Sequence, residues 1–559
     1  MKTSPKNLIR QHFPHLLLLI MGILYYLPRF FMDGIPHYLN EDTWFHLNRI
    51  IGLQNVFQSP VSFLNFAHNG PMVNIFYPWL TMYPAHIFYK LTGSYVLAYK
   101  IFYLFLAIVT LFLAYFVMFR ISKNRFSAFS FAILYTYSNF FFIDVFRRAH
   151  LGSALTTTAL LFVLLGLYEI CFGERKNLLP LAFGMALIGY SHNISLLMAA
   201  MLAGLYVLIS FRFWDQKKER VLSLLKAAGA ALLLLCGSFI SIVYYMNTNP
   251  IYTPGGSGDG LQSTAYPLGM NLLSSLKNEP VSYAAGFWVI VSLTGLLLFY
   301  GKKAAAPAQT KTNRAVDCFA FSGLLLFLSA SSLLPWKLLG DHTPLYMIQF
   351  VWRINAHSTL FLTAAFAFYL PQLLKPKKAC LCGCALICLL APVLHYTAIL
   401  KLRTEENTRI FESDIASGDA ITFDYTNRQA KLYRNEQGYD MDAVYINREA
   451  VPAEVSYSPN GSVYQITVDV PPSDGEGVTA DIPVFWYAQQ KCLVNGKEIQ
   501  TGLSERGATL VPLEPDGVST ISISYRHSAL TFLSWGISLV TLAALLLFRR
   551  KRTFTAPEE

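Results

Sequence analysis

Hydrophobic residues in this chain come in long runs rather than in alternation. The runs cover residues 14–32, 97–119, 126–143, 152–172, 178–191, 194–211, 225–246, 283–300, 317–335, 356–374, 379–400 and 529–548. A helix of about 20 apolar residues crosses a bilayer. The pattern therefore predicts a mainly α, polytopic membrane protein with about twelve spans. Runs 178–191 and 194–211 nearly merge, but Ser191-His192-Asn193 interrupts them. One span of about 34 residues would need a steep tilt, so a short helix pair is expected.

Between the last two runs the pattern changes. Residues 401–528 open polar and charged, then pass into short alternating stretches: 455–457, 463–468, 484–487, 509–512 and 519–525. Turn residues separate them, at Pro459-Asn460-Gly461, Val494-Asn495-Gly496-Lys497 and Pro515-Asp516-Gly517. Alternation with Asn-Gly and Asp-Gly turns predicts a small antiparallel β-sandwich. The expected organisation is a multi-span body over 1–400, a β-rich domain over 401–528, and a last span with a basic tail over 529–559.

Composition agrees. The 559 residues are 54% hydrophobic and 14% charged, whereas soluble domains have about 45–50% apolar and about 25% charged residues. This excludes a cytosolic enzyme, a disordered chain and a collagen-like repeat. The net charge of +11 invites a nucleic-acid reading, but the placement of the basic residues argues otherwise. Lys2/Lys6/Arg10, Arg120/Lys123/Arg125, Arg175/Lys176, Arg212/Lys217/Lys218/Arg220, Lys302/Lys303/Lys311/Arg314, Lys375/Lys377/Lys378 and Arg549–Arg552 all fall on one side of a twelve-span chain. The positive-inside rule makes that side cytoplasmic. Both termini are then cytoplasmic, 401–528 is extracellular, and no nucleic-acid partner is expected. Residues 1–32 lack a small-residue cleavage site and read as a retained span. Of eight cysteines, Cys380, Cys382 and Cys384 are spaced unlike a zinc site and read as membrane-facing thiols. Gly255–Gly260 lacks the strand-before, helix-after context of a phosphate loop and reads as a loop tip.

The opposite face holds the candidate chemistry, in loops 33–96, 247–282 and 336–355. Loop 33–96 contains Asn40-Glu41-Asp42-Thr43-Trp44-Phe45-His46, with Arg49 beyond. If 43–56 is helical, His46 and Arg49 share a side with Asp42. The cluster fits a helix cap in a charged loop, or a general base or metal-holding carboxylate, with Glu41 and Asp42 as the metal candidates. Arg147-Arg148-Ala149-His150 lies on the side where the topology disfavours cations. It fits pairing to Asp144 or Glu41, or binding of an anion such as phosphate. His192-Asn193 fits a hydrogen-bonded helix break or a polar contact to a ligand. Gln349 and Arg353 are spaced as helical neighbours, and Trp352 beside them fits an interfacial belt or a site. Asn74–Trp79, with Tyr77, and Met82-Tyr83-Pro84 form an aromatic, proline-broken stretch suited to a membrane interface or a lipid-tail groove.

Taken in order, Glu41-Asp42-Thr43-Trp44-Phe45-His46, Tyr77-Pro78, Arg148-Ala149, Ser191-His192-Asn193, Gln349–Arg353, and Ile482-Pro483, Trp486-Tyr487 and Val494-Asn495-Gly496 resemble bacterial YfhO-like membrane proteins. These overlap proteins labelled pyruvoyl-tetrahydropterin-synthase-related, a label implying no pterin chemistry. The resemblance implies a GT-C-like glycosyltransferase in the bacterial plasma membrane. Its donor would be a sugar on a polyprenyl phosphate, and its acceptor a cell-envelope glycan such as lipoteichoic acid. A polyprenyl-phosphate glycosyltransferase and a flippase would be its partners.

On that reading Asp42 is the general base, assisted by Glu41 and His46. Arg148, Arg353 and Arg147 bind the donor phosphate. His192, Asn193, Gln349, Trp352 and Tyr77 line the substrate. A divalent ion is a candidate cofactor. The competing classes are a transporter or flippase of polyprenyl-linked precursors and a non-catalytic, glycan-binding assembly protein. A transporter would carry charged residues at mid-membrane or broken spans at repeat-related positions, and the sequence shows neither an inverted repeat nor ionisable groups deep in its spans.

Overall fold

The computed structural model describes residues 5–554 except 39–41, 174–176, 254–259, 280–281, 303–309, 341–342, 405, 407, 418–421, 423, 438–440 and 473–476. Glu41, most of the Gly255–Gly260 loop and Asp341-His342 thus lie outside the described residues. The chain forms two compact units. One comprises Met1–Thr43, Val96–Leu232 and Gly255–Arg409, the other Trp44–Tyr95, Leu233–Pro254 and Ile410–Glu559.

The first unit is helical. The apolar runs that lie in this unit fall on helices, run 126–143 on the pair Arg125–Thr136 and Asn139–Phe142, and the two near-merged runs form separate helices, Leu179–Gly189 and Asn193–Ser210. Local polar residues set the boundaries. Asn124 caps helix Arg125–Thr136 by accepting from the backbone N–H groups of Phe126 and Ser127, and Thr310 caps Lys311–Ser329 through Asn313. Capping satisfies N–H groups that the helix itself leaves without acceptors.

Among the described residues, seven helices are long and apolar enough to cross a membrane, eight if the bent pair Arg125–Thr136 and Asn139–Arg147 is one span. The remaining runs fall short for physical reasons. Leu179–Gly189 and Phe287–Lys302 are short, and Lys311–Ser329 carries Lys311, Asn313, Arg314 and Asp317 in its first two turns. Ile354–Leu373 is apolar over much of its length but buries Asn355, His357, Ser358, Thr359 and Thr363. Helix Ile354–Leu373 packs against Lys311–Ser329, Phe287–Lys302 and Arg125–Thr136. It is the inner helix of this unit, and Arg353 stands at its start.

The second unit is built around two five-stranded antiparallel sheets. Its strands are β1 (Val444–Ile446), β2 (Glu449–Val451), β3 (Ala453–Tyr457), β4 (Val463–Val470), β5 (Val478–Phe485), β6 (Gln490–Val494), β7 (Lys497–Ile499), β8 (Gly502–Leu503), β9 (Ala508–Leu513) and β10 (Gly517–Tyr525). The sheet orders are β8-β9-β5-β1-β2 and β3-β4-β10-β6-β7. The β6–β7 hairpin turns at Asn495 and Gly496, both with positive φ of 49° and 83°, the geometry an Asn-Gly turn favours. In register, Ile521 faces Ile466 and Ile523 faces Tyr464, so each strand of that pair turns the same alternate residues into the core.

The sandwich core is not closed by the sheets alone. Val61, Phe63, Met72, Ile75 and Phe76, from the segment Trp44–Tyr95, are buried in the same cluster as Ile466, Val484 and Ile523. The Phe63 N–H donates to the Gly461 carbonyl, and Asn69 Nδ2 donates to the carbonyls of Met441 and Pro483. The early loop segment is thereby part of the sandwich unit.

Candidate functional site

In the first unit the chain leaves helix Asn139–Phe142 through a π-helical turn, Ile143–Arg147. The wider turn is closed by the Arg148 N–H donating to the Ile143 carbonyl at 2.8 Å. Such one-residue widenings recur at functional sites because they re-aim side chains. Here Asp144 turns fully inward and Arg148 toward Asp42. Ala149 then takes a positive φ of 48°. His150 begins the next helix, its Nδ1 accepting from the Ser153 N–H at 3.0 Å.

These residues converge on Asp42. Arg148 Nη2 lies 3.2 Å from Asp42 Oδ2, and Arg148 Nη1 lies 3.9 Å from Asp144 Oδ1. His150 Nε2 is 3.8 Å from the same Asp42 oxygen. The His192 ring meets the His150 ring edge to face at 5.0 Å. His192 also caps helix Asn193–Ser210 through Nδ1, which accepts from the Ser195 N–H, and Asn193 opens that helix. The cap is the hydrogen-bonded helix break that the sequence suggested at His192.

Three guanidinium groups meet a small aromatic stack. Tyr283 and Trp352 stack with centroids 4.0 Å apart and planes 13° apart. Arg147 lies over Tyr283 at 5.2 Å, Arg148 over Trp352 at 5.1 Å, and Arg353 over Phe350 at 4.9 Å. Arg353 Nη1 donates to Gln349 Oε1 at 2.9 Å and to the Ile348 carbonyl at 3.3 Å. The predicted Gln349–Arg353 pairing is therefore present, but not along one helix. Gln349 has a positive φ of 62°, and Val351–Arg353 is a separate 3-10 turn.

Asp42 keeps a side-chain exposure of 36%. Its surroundings still push the carboxyl above the ordinary value of 3.8, because burial disfavours the charged form. Arg148 first, then Arg353, pull it back. A carboxylate raised by burial and steadied by cations has the properties of a working base. Asp42 and His150 are also donors that a divalent ion accepts, while Arg148 already supplies positive charge at that carboxylate oxygen.

Helix Thr43–Ile51 starts directly after Asp42 and carries His46 and Arg49. In the second unit Arg49 is buried and held almost entirely by carbonyl and ring groups. Its Nη2 donates to the carbonyls of Tyr77 and Pro78 at 3.0 and 2.7 Å, and Nε donates to Asn74 Oδ1 at 3.3 Å. Its Nη1 lies 3.1 Å from His46 Nδ1, and its guanidinium lies 4.0 Å above the Tyr77 ring. Burial lowers this group to about 10. His46 and Tyr77 are thus brought together around Arg49, the helix ending at Ile51 where the sequence suggested 56.

Asp144, Tyr283 and Phe350 are members of the first cluster that the sequence did not single out as ligand-binding. Asp144 was legible only as a pairing partner for the double Arg, and Tyr283 carries no motif. Compared with protein-family models and with curated proteins, the chain matches none.

Proposed function

We propose that the protein is a membrane glycosyltransferase of YfhO-like, GT-C type, which transfers a sugar from a polyprenyl phosphate to a cell-envelope glycan acceptor. The observation that carries this reading is the pairing of Asp42 with Arg148, beside His150 and close to Arg353. One carboxylate of raised basicity stands among cations suited to a phosphate. The acceptor hydroxyl gives its proton to Asp42 as its oxygen attacks the anomeric carbon. The bond from that carbon to the phosphate oxygen breaks, and the electron pair leaves with polyprenyl phosphate. Arg148 and Arg353 offset the charge on the leaving group, Arg147 adds to the positive field, and Tyr283 and Trp352 offer ring faces to a sugar. Displacement in one step inverts the anomeric centre.

In this reading the apolar runs span the bacterial plasma membrane, both termini are cytoplasmic, and 401–528 is extracellular. A divalent ion at Asp42, with Glu41, would add Lewis acidity. The test is the envelope glycan of a deletion strain, compared after restoration with the wild type or with Asp42→Asn. Loss of one glycan modification, restored by the wild type alone, supports the reading. An unchanged glycan profile removes it.

One observation favours the transporter alternative. The helix pair Arg125–Thr136 and Asn139–Arg147 bends by 44° and carries the fully buried Asp144, and broken helices with buried charge mark transport pathways. Proteoliposomes loaded with labelled polyprenyl-phosphate sugar separate the two: transfer without net lipid movement supports the enzyme, and movement without transfer supports the transporter.

A further inference from the structure

Helix Tyr83–Thr92, in the second unit, has its polarity reversed for a surface helix. Its inward side buries Ala85 and His86. Leu80, just before it, and Ile87 and Leu91 along it are 45%, 47% and 76% exposed. An amphipathic helix facing water shows polar residues outward. Here the outward charge is Lys90, whose Nζ reaches back to Gln54 Oε1 at 3.3 Å. That is how a lysine near a lipid surface keeps its head in the polar layer.

An aromatic cluster adjoins this helix. The Phe57 ring lies 5.2 Å from Trp79, 5.3 Å from Tyr83 and 6.0 Å from Trp535. Trp79 is itself 6.2 Å from Trp535. Phe57 is half exposed. Trp535 belongs to helix Ala529–Phe554, whose stretch Ala529–Leu547 is long and apolar enough to cross a membrane. Farther along that stretch Leu539 and Val540 are 67% and 70% exposed.

The position of Trp535 ties the two surfaces together. It stands near the start of the apolar stretch, where a span would pass from headgroups into hydrocarbon, and Trp and Tyr concentrate at that depth. Phe57 and Trp79 pack against it and Tyr83 packs against those two, so the three lie near its level. The exposed apolar residues of helix Tyr83–Thr92 adjoin this aromatic cluster through Tyr83, which packs against Phe57 and Trp79.

We propose that Phe57, Trp79 and helix Tyr83–Thr92 form a lipid-docking collar, with the helix lying in the plane of the membrane surface and Leu80, Ile87 and Leu91 in the headgroup–acyl boundary. This inference rests on the membrane reading of helix Ala529–Phe554. Its consequence is positional. The collar belongs to the same segment as Arg49, His46 and Tyr77, and it fixes the height of that segment above the hydrocarbon.

The test places nitroxide spin labels at Ile87→Cys, Leu91→Cys, Leu539→Cys and Val518→Cys, one at a time. The full chain carries Cys382→Ser and is reconstituted in phosphatidylcholine–phosphatidylglycerol vesicles. Collision with oxygen reports lipid, and collision with a water-soluble nickel chelate reports solvent. Leu539 is expected to favour oxygen, and Val518, on β10 and 66% exposed, to favour nickel. Ile87 and Leu91 should give an oxygen-to-nickel ratio at least about threefold above that of Val518, as a helix about 5–10 Å into the interface would. Ratios equal to that of Val518, with Leu539 in lipid, overturn the collar alone. Solvent access at Leu539 overturns the membrane reading beneath it. Shielding of Ile87 and Leu91 from both agents, with label–label broadening, overturns it in favour of a second copy of the chain.

Discussion

Asp42 and Arg148 hold each other twice. The guanidinium lies 3.2 Å from the Asp42 carboxylate, and the Asp42 backbone N–H donates to the Arg148 carbonyl, also at 3.2 Å. The main-chain bond fixes where the acid stands, while the side-chain contact tunes its charge. A substitution at one side chain should therefore leave the other in place, which makes the pair accessible to single-residue tests.

Asp42→Asn removes the proton acceptor with little change in shape. Positioned general bases are worth about 10²–10⁴ in rate. Transfer by the purified variant should fall by that range, while binding of polyprenyl phosphate, read by native mass spectrometry, stays within a few-fold of the wild type. Near-normal transfer would take Asp42 out of the mechanism.

The pH profile should follow the cations. The Asp42 carboxyl is raised above 3.8 by burial and drawn down by Arg148 and Arg353. Base activity must therefore fall as pH drops through a window above 3.8. In that same window the folded state holds the proton more tightly than the unfolded chain, so this group adds stability as pH falls and withdraws it as pH rises. Arg353→Gln and Arg148→Gln each remove a lowering influence. Both should move the acid limb to higher pH, Arg148→Gln by more. A limb that stays in place in both variants contradicts the assignment.

Donor binding separates arginine from charge alone. Arg353→Lys keeps the charge but loses the planar fork that can hold two phosphate oxygens. It should weaken binding of a polyprenyl phosphate nearly as much as Arg353→Ala, by about 1.5–3 kcal/mol for a charge-assisted bond. Wild-type affinity in both variants would place the phosphate elsewhere.

Arg49 gives a prediction for stability rather than chemistry. Lysine cannot reach two carbonyls, Asn74 and His46 from one planar head. Arg49→Lys should destabilise the second unit by about 1–3 kcal/mol, seen as a lower thermal midpoint in detergent. Phe63→Ala should cost about 3–5 kcal/mol, because Phe63 is fully buried against the Tyr464 and Tyr525 rings.

Helices were readable from run length, and boundaries such as Ser191–Asn193 from the polar residues that cap them. Strands 463–468 and 519–525 were readable because one face of each is buried, so polarity alternates. The edge strands β2, β7 and β8 were not, since two or three residues carry no period. Arg148 and Arg353 were readable as cations placed against the expected topology. The π-turn at Ile143–Arg147 left no trace, because one extra residue in a helix changes no composition. Tyr283 was unreadable because its role depends on stacking with Trp352, some 70 positions away.

The burial of Val61, Phe63 and Met72 in the sandwich core also imposes an order of assembly. A ribosome makes Trp44–Tyr95 early and Ile410 onward late, with about 300 residues between them. At roughly 5–20 residues per second the early segment waits on the order of 15–60 s for its partner strands. Until then its apolar residues have no finished core to enter. A chain that stops before β10 leaves them stranded, so the segment Trp44–Tyr95 reaches its final packing only as synthesis ends.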